Sequence, residues 1–375
     1  MLAATVIVGI AVAGVLVVQV AKPRDAVRIG CILPLTGTVA HWGAWLRAGI
    51  DLAVSEVNAG GGVRGRTFVA QYEDDHGDVQ TAVAAFQKLT TVDHVAFVVG
   101  PETSSGALAV APLAQRNQVV LVTASTSSPQ ISTIGDFIFR LYPNSVQAAT
   151  YLLDVSRRLK VTKPAILFVD NDYGHGIDQQ LVKRLPGMLR RSWRTHPTIA
   201  LNESYDAATH DFRPILTKLK SLQPDVTFML GYPSDMAVIL RQAKELGLRL
   251  QFVSSATFDA PVIVPIAWEA AEGVIFVYPK LPDSDRAREF KAAFKRTYGQ
   301  DANVFHALGY DAIRILAEGM RLGGINTQRV ADALHVLKDF PGVTGTITFA
   351  GTDVAERPMV LQTIREGKVV PFKGR

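Results

Sequence analysis

The sequence is poor in cysteine, with Cys31 as the one cysteine among 375 residues. A single cysteine excludes a disulfide bond within the chain. Cys31 lies in "VRIGCILPL", a short apolar run that predicts a buried strand. A free cysteine in such a strand behaves as a small apolar residue, so we interpret it as part of the core rather than as a reactive thiol.

Clustered metal ligands and clustered positive charge are also missing. The eight histidines are dispersed, and none has the H-E-x-x-H spacing of a zinc-binding helix. The 39 Lys and Arg against 34 Asp and Glu give a net charge of +5, but the basic residues are scattered along the chain. We therefore predict no metal, no cofactor and no nucleic-acid partner.

Charge is absent from the first 21 residues, "MLAATVIVGIAVAGVLVVQVA". An apolar run of this length is either an export signal or a membrane anchor, and we assign residues 1–26 to one of these. It has no basic segment before the run and no clear cleavage site, so both alternatives stay open, together with a misassigned start. Each places the globular part outside the cytoplasm, and with no second run of this kind we do not expect a multi-pass transporter.

From Val27 onward, strand-like and helix-like segments alternate. Helical patterns, such as Leu46, Ile50, Ala53 and Val57 on one face, lie between apolar runs such as "VAFVVGP", "VVLVTAS", "PAILFVDND" and "DVTFMLGYP". Continuous apolar strands between amphipathic helices predict parallel sheets covered on both faces, and the pattern restarts at "FIFRLYP". The sequence therefore predicts an α/β protein with two doubly wound lobes, whose ligands bind beyond the carboxyl ends of the strands.

The glycine-rich segment "GGGVRG", residues 60–65, formally matches a dinucleotide-binding fingerprint. That fingerprint must follow a strand and open a helix. Here the glycines follow a helical pattern and precede the strand-like "TFVAQYE". The segment therefore predicts a helix end and a turn rather than a nucleotide site.

The segment "GPETSSG", residues 100–106, has four interpretations: a serine nucleophile, a phosphate ligand, an anion site or a helix cap. A nucleophile elbow requires glycine two residues before the serine, and Glu102 occupies that position before Ser104. No His and Asp partners can be assigned, so a serine hydrolase is the weaker hypothesis.

The anion-site and helix-cap interpretations of Ser104 both fit a helix that begins there. The first turn of such a helix offers unpaired N–H groups, and the hydroxyls of Ser104 and Ser105 add donors for a carboxylate. Alternatively, Ser104 only caps its own helix. A second hydroxyl cluster, "VTASTSSP", follows the adjacent predicted strand. Two such loops side by side favour a site for one small carboxylate.

These segments resemble the leucine/isoleucine/valine-binding family of periplasmic solute receptors, which serve ABC importers. The resemblance is carried, in order along the chain, by "IGCILPLTGTVAHWGAWLRAGIDLAVSEVNAGGGVRG", "YEDDHGD", "VVGPETSSGALAVAPLAQ", "VVLVTASTSSP", "VDNDYGHG", "LGYPSDMAVILRQAKELGL" and "FPGVTGTITF". It implies a type I periplasmic-binding-protein fold, in which two α/β lobes are joined by three crossovers. On that basis we expect lobe one at residues 27–142 plus 280–348, and lobe two at 143–279 plus 349–375.

The resemblance also implies a set of ligand-binding residues in the cleft. Ser104 matches the serine that holds the ligand carboxylate, Ser125 a position that contributes its main chain, and Ser127 a hydroxyl position. The aromatic positions are matched by Trp42, which replaces a tyrosine, and by Tyr173 and Tyr232 on the second lobe.

At one position the sequence departs from the family pattern. Ala256 stands where members that bind α-amino acids typically carry an acidic partner for the ligand ammonium. An unpaired ammonium is heavily penalised when it loses water, so a simple branched-chain amino acid is in doubt as the ligand. Either Glu102 substitutes as the ammonium partner or the ligand has no ammonium.

The sequence thus predicts an exported or membrane-anchored solute-binding protein of an ABC importer, not an enzyme. Its expected ligand is a small carboxylate-bearing molecule, either branched-chain amino acid-like or a related acid or amide. Its expected partner is the membrane permease, and we expect a monomer. A membrane-anchored sensory receptor of the same fold is the alternative.

Overall fold

The computed structural model describes residues 24–192, 198–351, 357 and 359–374. The predicted leader lies outside the described residues apart from positions 24–26. Within the described ranges, no helix combines the length and the apolarity needed to cross a membrane.

The first sheet has five parallel strands in the order β2-β1-β3-β4-β5. They are β1 (Arg24–Leu33), β2 (Arg66–Asp74), β3 (Phe97–Val99), β4 (Val120–Thr123) and β5 (Ile138–Arg140). Cys31 on β1 is fully buried, and this burial raises the pKa of its thiol. The prediction of a core cysteine is confirmed.

Six helices pack on this first sheet or on the helices that cover it. They are α1 (Ala40–Ala59), α2 (Val79–Gln87) and α3 (Ser104–Arg116), followed much later in the chain by α9 (Asp285–Tyr298), α10 (Val304–Gly323) and α11 (Thr327–His335). Helices α1 and α10 pack backbone against backbone, because a Cβ at Gly49 would lie 1.8 Å from the His306 carbonyl oxygen. Between α1 and β2, "GGGVRG" forms a turn, as predicted.

The second sheet has seven strands in the order β14-β13-β10-β9-β8-β6-β7. They are β6 (Pro164–Val169), β7 (Leu201–Tyr205), β8 (Val226–Leu230), β9 (Phe252–Ser254), β10 (Ile275–Pro279), β13 (Met359–Arg365) and β14 (Lys368–Pro371). Strands β6 to β10 are parallel, while β13 and β14 are antiparallel additions from the end of the chain. A short hairpin, β11 (Phe340–Gly342) and β12 (Gly345–Ile347), completes the strands of the described residues.

The helices of the second lobe are α4 (Ser145–Leu159), α5 (Asp172–Ser192), α6 (Arg213–Leu222), α7 (Pro233–Glu245) and α8 (Ala260–Ala267). The sequence pattern predicts that α5 starts near Gly176, which is four residues too late. The reason is a side-chain cap, because the Asn171 amide oxygen accepts the N–H groups of Tyr173 and Gly174, both at 3.1 Å.

The chain passes between the two lobes three times: after β5, after β10 and between β12 and β13. Arg357 lies in the third passage and is buried. Its guanidinium donates to the carbonyl oxygens of Leu141 at 2.8 Å and Thr344 at 2.7 Å, and burial lowers its pKa to about 10. The predicted fold, two α/β lobes joined by three crossovers, is confirmed, while the residue limits of the lobes stay a prediction.

Candidate functional site

A cavity lies between the two lobes, beyond the carboxyl ends of strands from both sheets. It contains about 620 Å³ of atom-free space, including its opening to solvent. All seven residues predicted from the sequence line it: Trp42, Glu102, Ser104, Ser125, Ser127, Tyr173 and Tyr232. The structure therefore brings together residues that are up to 190 positions apart along the chain.

The loop before α3 presents Ser104 to the cavity. Gly100 in this loop has φ +92°, and a Cβ there would lie 2.0 Å from the Ile32 carbonyl oxygen, so the loop passes close to β1. Thr103, rather than Ser104, caps the helix, since its hydroxyl accepts the Gly106 N–H at 3.2 Å. Ser104 is only 4% exposed, and its hydroxyl makes no hydrogen bond with a described residue.

The loop after β4 contributes the second hydroxyl. Ser127 is 7% exposed and lines the cavity. Its carbonyl oxygen accepts the Ser145 N–H at 2.8 Å, which fixes the loop against the start of α4. Its hydroxyl has no hydrogen-bond partner among the described residues. Ser104 and Ser127 thus supply two hydroxyls, on largely buried residues, that have no hydrogen-bond partner among the described residues.

Glu102 joins these two loops. Its carboxylate accepts the Ala124 N–H at 3.2 Å, the Ser125 N–H at 2.6 Å and the Ser125 hydroxyl at 2.7 Å. Burial raises the pKa of Glu102 to about 7, although the three hydrogen bonds favour the charged form. Most of its acceptor capacity is therefore used within the protein.

Four aromatic rings form a continuous wall of the cavity. Trp42 stacks on Phe305 with ring centroids 5.8 Å apart, and Tyr232 meets Trp42 edge-on, also at 5.8 Å. Tyr173 then stacks on Tyr232, again at 5.8 Å. Trp42 is 7% exposed, so it both packs in the core of lobe one and faces the cavity.

The second lobe adds a group of hydroxyls around Ala256. The Tyr173 hydroxyl lies 2.5 Å from the Ser255 hydroxyl and 2.7 Å from the Thr257 hydroxyl. Ala256 itself lines the cavity with its methyl group. Each of these hydroxyls already has a protein partner, in contrast to Ser104 and Ser127.

Several lining residues are missing from the sequence-based prediction. They are Thr103, Tyr142, Pro143, Ala148, Ile177, Ser255, Thr257, Phe305 and Met359. Ser255 and Thr257 had a usable signal, since they flank Ala256 just after a predicted strand. Phe305 falls on an apolar helical stripe that also predicts an ordinary core position. No sequence pattern brings Met359 from the end of the chain to this cavity.

Contacts between the lobes occur at the edges of the cavity. The Ser105 hydroxyl on α3 accepts the Asp172 N–H of α5 at 3.3 Å. His41 Nε2 on α1 lies 3.6 Å from the carboxylate of Asp259, the residue before α8. Together with the Trp42–Tyr232 contact, these distances describe a cleft with its two sides in contact.

The site has no constellation for catalysis. Among the described residues that line the cavity there is no His, Lys or Arg, and the carboxylate of Glu102 is engaged by Ala124 and Ser125, so no general base is hydrogen-bonded to Ser104. In the described part of the chain, no group of three or more His, Cys, Asp or Glu side chains is arranged to hold a metal ion. The arrangement instead suits reversible binding of a small molecule with an anionic end.

Comparison with known proteins agrees with this geometry. The sequence model of the periplasmic binding protein family matches residues 26–368. A leucine-, isoleucine-, valine-, threonine- and alanine-binding protein of Pseudomonas aeruginosa is 29% identical over 329 residues, which are 87% of this chain and 86% of the relative.

Two solved structures that are similar to this chain hold different ligands. A branched-chain amino acid transporter substrate-binding protein of Streptococcus pneumoniae, in complex with isoleucine, has 26% identity and a TM-score of 0.82, covering 92% of this chain and 97% of that one. A solute-binding protein of an ABC transporter from R. palustris, in complex with benzoate, has 18% identity and a TM-score of 0.80, covering 93% and 96%. At 18% identity the second likeness shows the fold alone.

Proposed function

The chain belongs to the periplasmic binding protein family, and from that membership we propose that it is the extracytoplasmic receptor of an ABC importer for a small carboxylate-bearing solute. It is a solute-binding protein and not an enzyme, so the serine-hydrolase hypothesis is wrong. One observation supports the carboxylate: the Ser104 and Ser127 side chains line the cavity, and their hydroxyls have no hydrogen-bond partner among the described residues. A hydroxyl in a cleft that makes no hydrogen bond within the protein can donate to a ligand carboxylate, so these two are suited to that ligand.

Binding is proposed to occur between the lobes with hinge closure. The carboxylate first meets lobe one, where Ser104, Ser127 and the first-turn N–H groups of α3 lie. Tyr173 and Tyr232 on lobe two then cover the ligand. The contacts between Ser105 and Asp172 and between Trp42 and Tyr232 support closure of the lobes, because each joins the two sides of the cleft.

The proposed partner is the membrane permease of the importer, which receives the ligand from the closed receptor. We propose that the receptor is a monomer. A membrane-anchored sensory receptor of the same fold is the alternative, since residues 1–26 suit either an export signal or an anchor. N-terminal sequencing of the exported protein separates the two. A mature start beyond the apolar run favours the transport receptor, and an intact leader favours the anchored one.

The site assignment is tested with serine variants. A thermal-shift screen of amino acids, aromatic acids, hydroxy acids and amides identifies a ligand, because a bound ligand stabilises the folded protein. Ser104→Ala and Ser127→Ala should each weaken binding of that ligand by about 1.5–3 kcal/mol, the range for a hydrogen bond to a charged group. Affinity is measured by isothermal titration calorimetry.

Ser128→Ala is the matched control, since Ser128 is a buried serine of the same loop that does not line the cavity. It should bind the ligand as tightly as the wild type. Unchanged affinity in both Ser104→Ala and Ser127→Ala would contradict the assigned site.

A further inference from the structure

We propose that the cavity takes an aromatic carboxylate without an α-ammonium group. This inference rests on the proposed function and narrows its ligand class. It depends on three features of the cavity: the kind of donors at its polar end, the state of its acceptors and the chemistry of its walls.

The polar end offers uncharged donors only. Ser104 and Ser127 present hydroxyls, α3 presents its first-turn N–H groups, and no cationic side chain is found among the described lining residues. A carboxylate carries one charge over two oxygens, and such donors can satisfy it. A doubly charged phosphate would lose its water without gaining a cationic partner. The donors therefore favour a carboxylate.

The acceptors of the cavity do not suit an ammonium. Glu102 is the one Asp or Glu among the described lining residues, and its carboxylate oxygens are occupied by Ala124 and Ser125. Ala256 offers a methyl group. The hydroxyls of Ser255 and Thr257 are bound to that of Tyr173. A buried ammonium would have no free carboxylate to pair with, and that arrangement is strongly unfavourable.

The walls favour a flat ring. In the continuous wall of four rings, Trp42 and Phe305 stack within 19° of parallel, and Tyr173 and Tyr232 stack within 22° of parallel. Aromatic ligands gain offset-stacked or edge-to-face contacts with such rings beyond the burial of their apolar area. A branched aliphatic chain gains the burial alone.

Calorimetric titration of the purified protein with five acids tests the two parts of this inference, the missing ammonium and the aromatic ring of the ligand. L-Phenylalanine and 3-phenylpropanoate differ only in the amine, as do L-leucine and 4-methylpentanoate; benzoate is the shortest aromatic acid. We expect 3-phenylpropanoate or benzoate to bind best, with 3-phenylpropanoate about tenfold or more tighter than L-phenylalanine. An amino acid that binds more tightly than its desamino partner overturns the exclusion of the ammonium. Tighter binding of 4-methylpentanoate than of either aromatic acid overturns the aromatic assignment.

Ala256→Asp supplies the missing carboxylate, and Ala256→Asn is its neutral control of the same size. We expect Ala256→Asp to bind L-phenylalanine at least about tenfold more tightly than Ala256→Asn does. For 3-phenylpropanoate we expect the reverse, with Ala256→Asp binding more weakly than Ala256→Asn. Equal affinities of the two variants for L-phenylalanine would contradict the inference. Should Ala256→Asp fail to fold, the comparison of the five acids on the wild type still decides.

The results also separate this inference from the function on which it rests. If only the amino acids bind, the ligand class is wrong and the carboxylate receptor stands. If none of the five acids binds, the inference is overturned, while the carboxylate receptor is overturned only if the wider thermal-shift screen also finds no carboxylate that binds.

Discussion

At the scale of single residues, the Glu102 carboxylate has different partners in the structure from the one that the sequence suggests. From the sequence, Glu102 is a candidate partner for a ligand ammonium, in place of the acidic residue missing at Ala256. In the structure its carboxylate binds the backbone of Ala124 and Ser125, so it positions the loop that carries Ser127. A side chain that lines a cavity can thus have its main partners in the protein itself.

This gives a prediction for Glu102→Gln. The amide keeps the shape of the carboxyl group but turns one acceptor into a donor that faces N–H groups. We expect a loss of about 1–3 kcal/mol in unfolding free energy, measured by urea denaturation at pH 8, where the wild-type carboxyl is mostly charged. Ligand affinity should fall for amine and non-amine acids alike, since the displaced loop serves both.

Glu289→Gln, at an exposed position of α9, is the control and should change neither property. A loss of affinity confined to amino acids would show instead that Glu102 pairs an ammonium.

At the scale of elements, α1 and the residue before α8 join the two lobes through an ionisable pair, the half-buried His41 and the buried Asp259. Burial raises the pKa of Asp259 from 3.8 to about 7 and lowers that of His41 from 6.5 to about 4. The stabilisation from Asp259 is therefore fully present below pH 3.8 and is lost as pH rises through 7. That from His41 runs in the opposite sense, being present above pH 6.5 and lost as pH falls through 4. Above pH 6.5 the contribution of His41 to stability no longer changes, so a change in that range can be assigned to Asp259.

We predict that Asp259→Asn removes part of the loss of stability between pH 6.5 and 8. The asparagine cannot ionise, so the buried position carries no charge at pH 8. Unfolding free energy is measured by urea denaturation at several pH values in this range. Glu102 and Asp75, whose pKa values burial also raises, are present in both proteins and cancel in the comparison.

The matched control is Asp136→Asn, at an exposed position outside the cavity. Parallel pH profiles for the wild type and Asp259→Asn would contradict a raised pKa of the buried Asp259 carboxyl group.

Two helices, α9 and α5, show which local sequence signals suffice to predict where a helix begins and ends. The helical pattern over Asp285–Tyr298 predicts α9 with its observed bounds, because its apolar face and its flanking Ser284 and Gly299 are local signals. The start of α5 is predicted four residues late, because the cap comes from the Asn171 side chain in a segment without helical periodicity. Caps depend on one side-chain rotamer, which a pattern of apolar residues does not contain.

At the scale of the whole molecule, the proposed function requires two arrangements of the lobes. We predict that the ligand found by titration lowers the radius of gyration in small-angle X-ray scattering and, at a hundredfold excess over Kd, stabilises the protein by about 2.7 kcal/mol. Ser104→Ala should need more ligand to reach the same compact state. A radius of gyration that does not respond to saturating ligand would reject hinge closure.

The sequence by itself determined the family, the alternation of strands and helices, and the two serine loops at the ends of neighbouring strands. These follow from signals within a few residues of one another, or from ordered segments along most of the chain. Only the tertiary structure decided that Glu102 is held by Ser125, that Phe305 and Met359 reach the cavity, and that His41 faces Asp259. Each of these contacts joins distant parts of the chain at side-chain resolution, and such a distance is fixed by the packing of both lobes rather than by any local pattern.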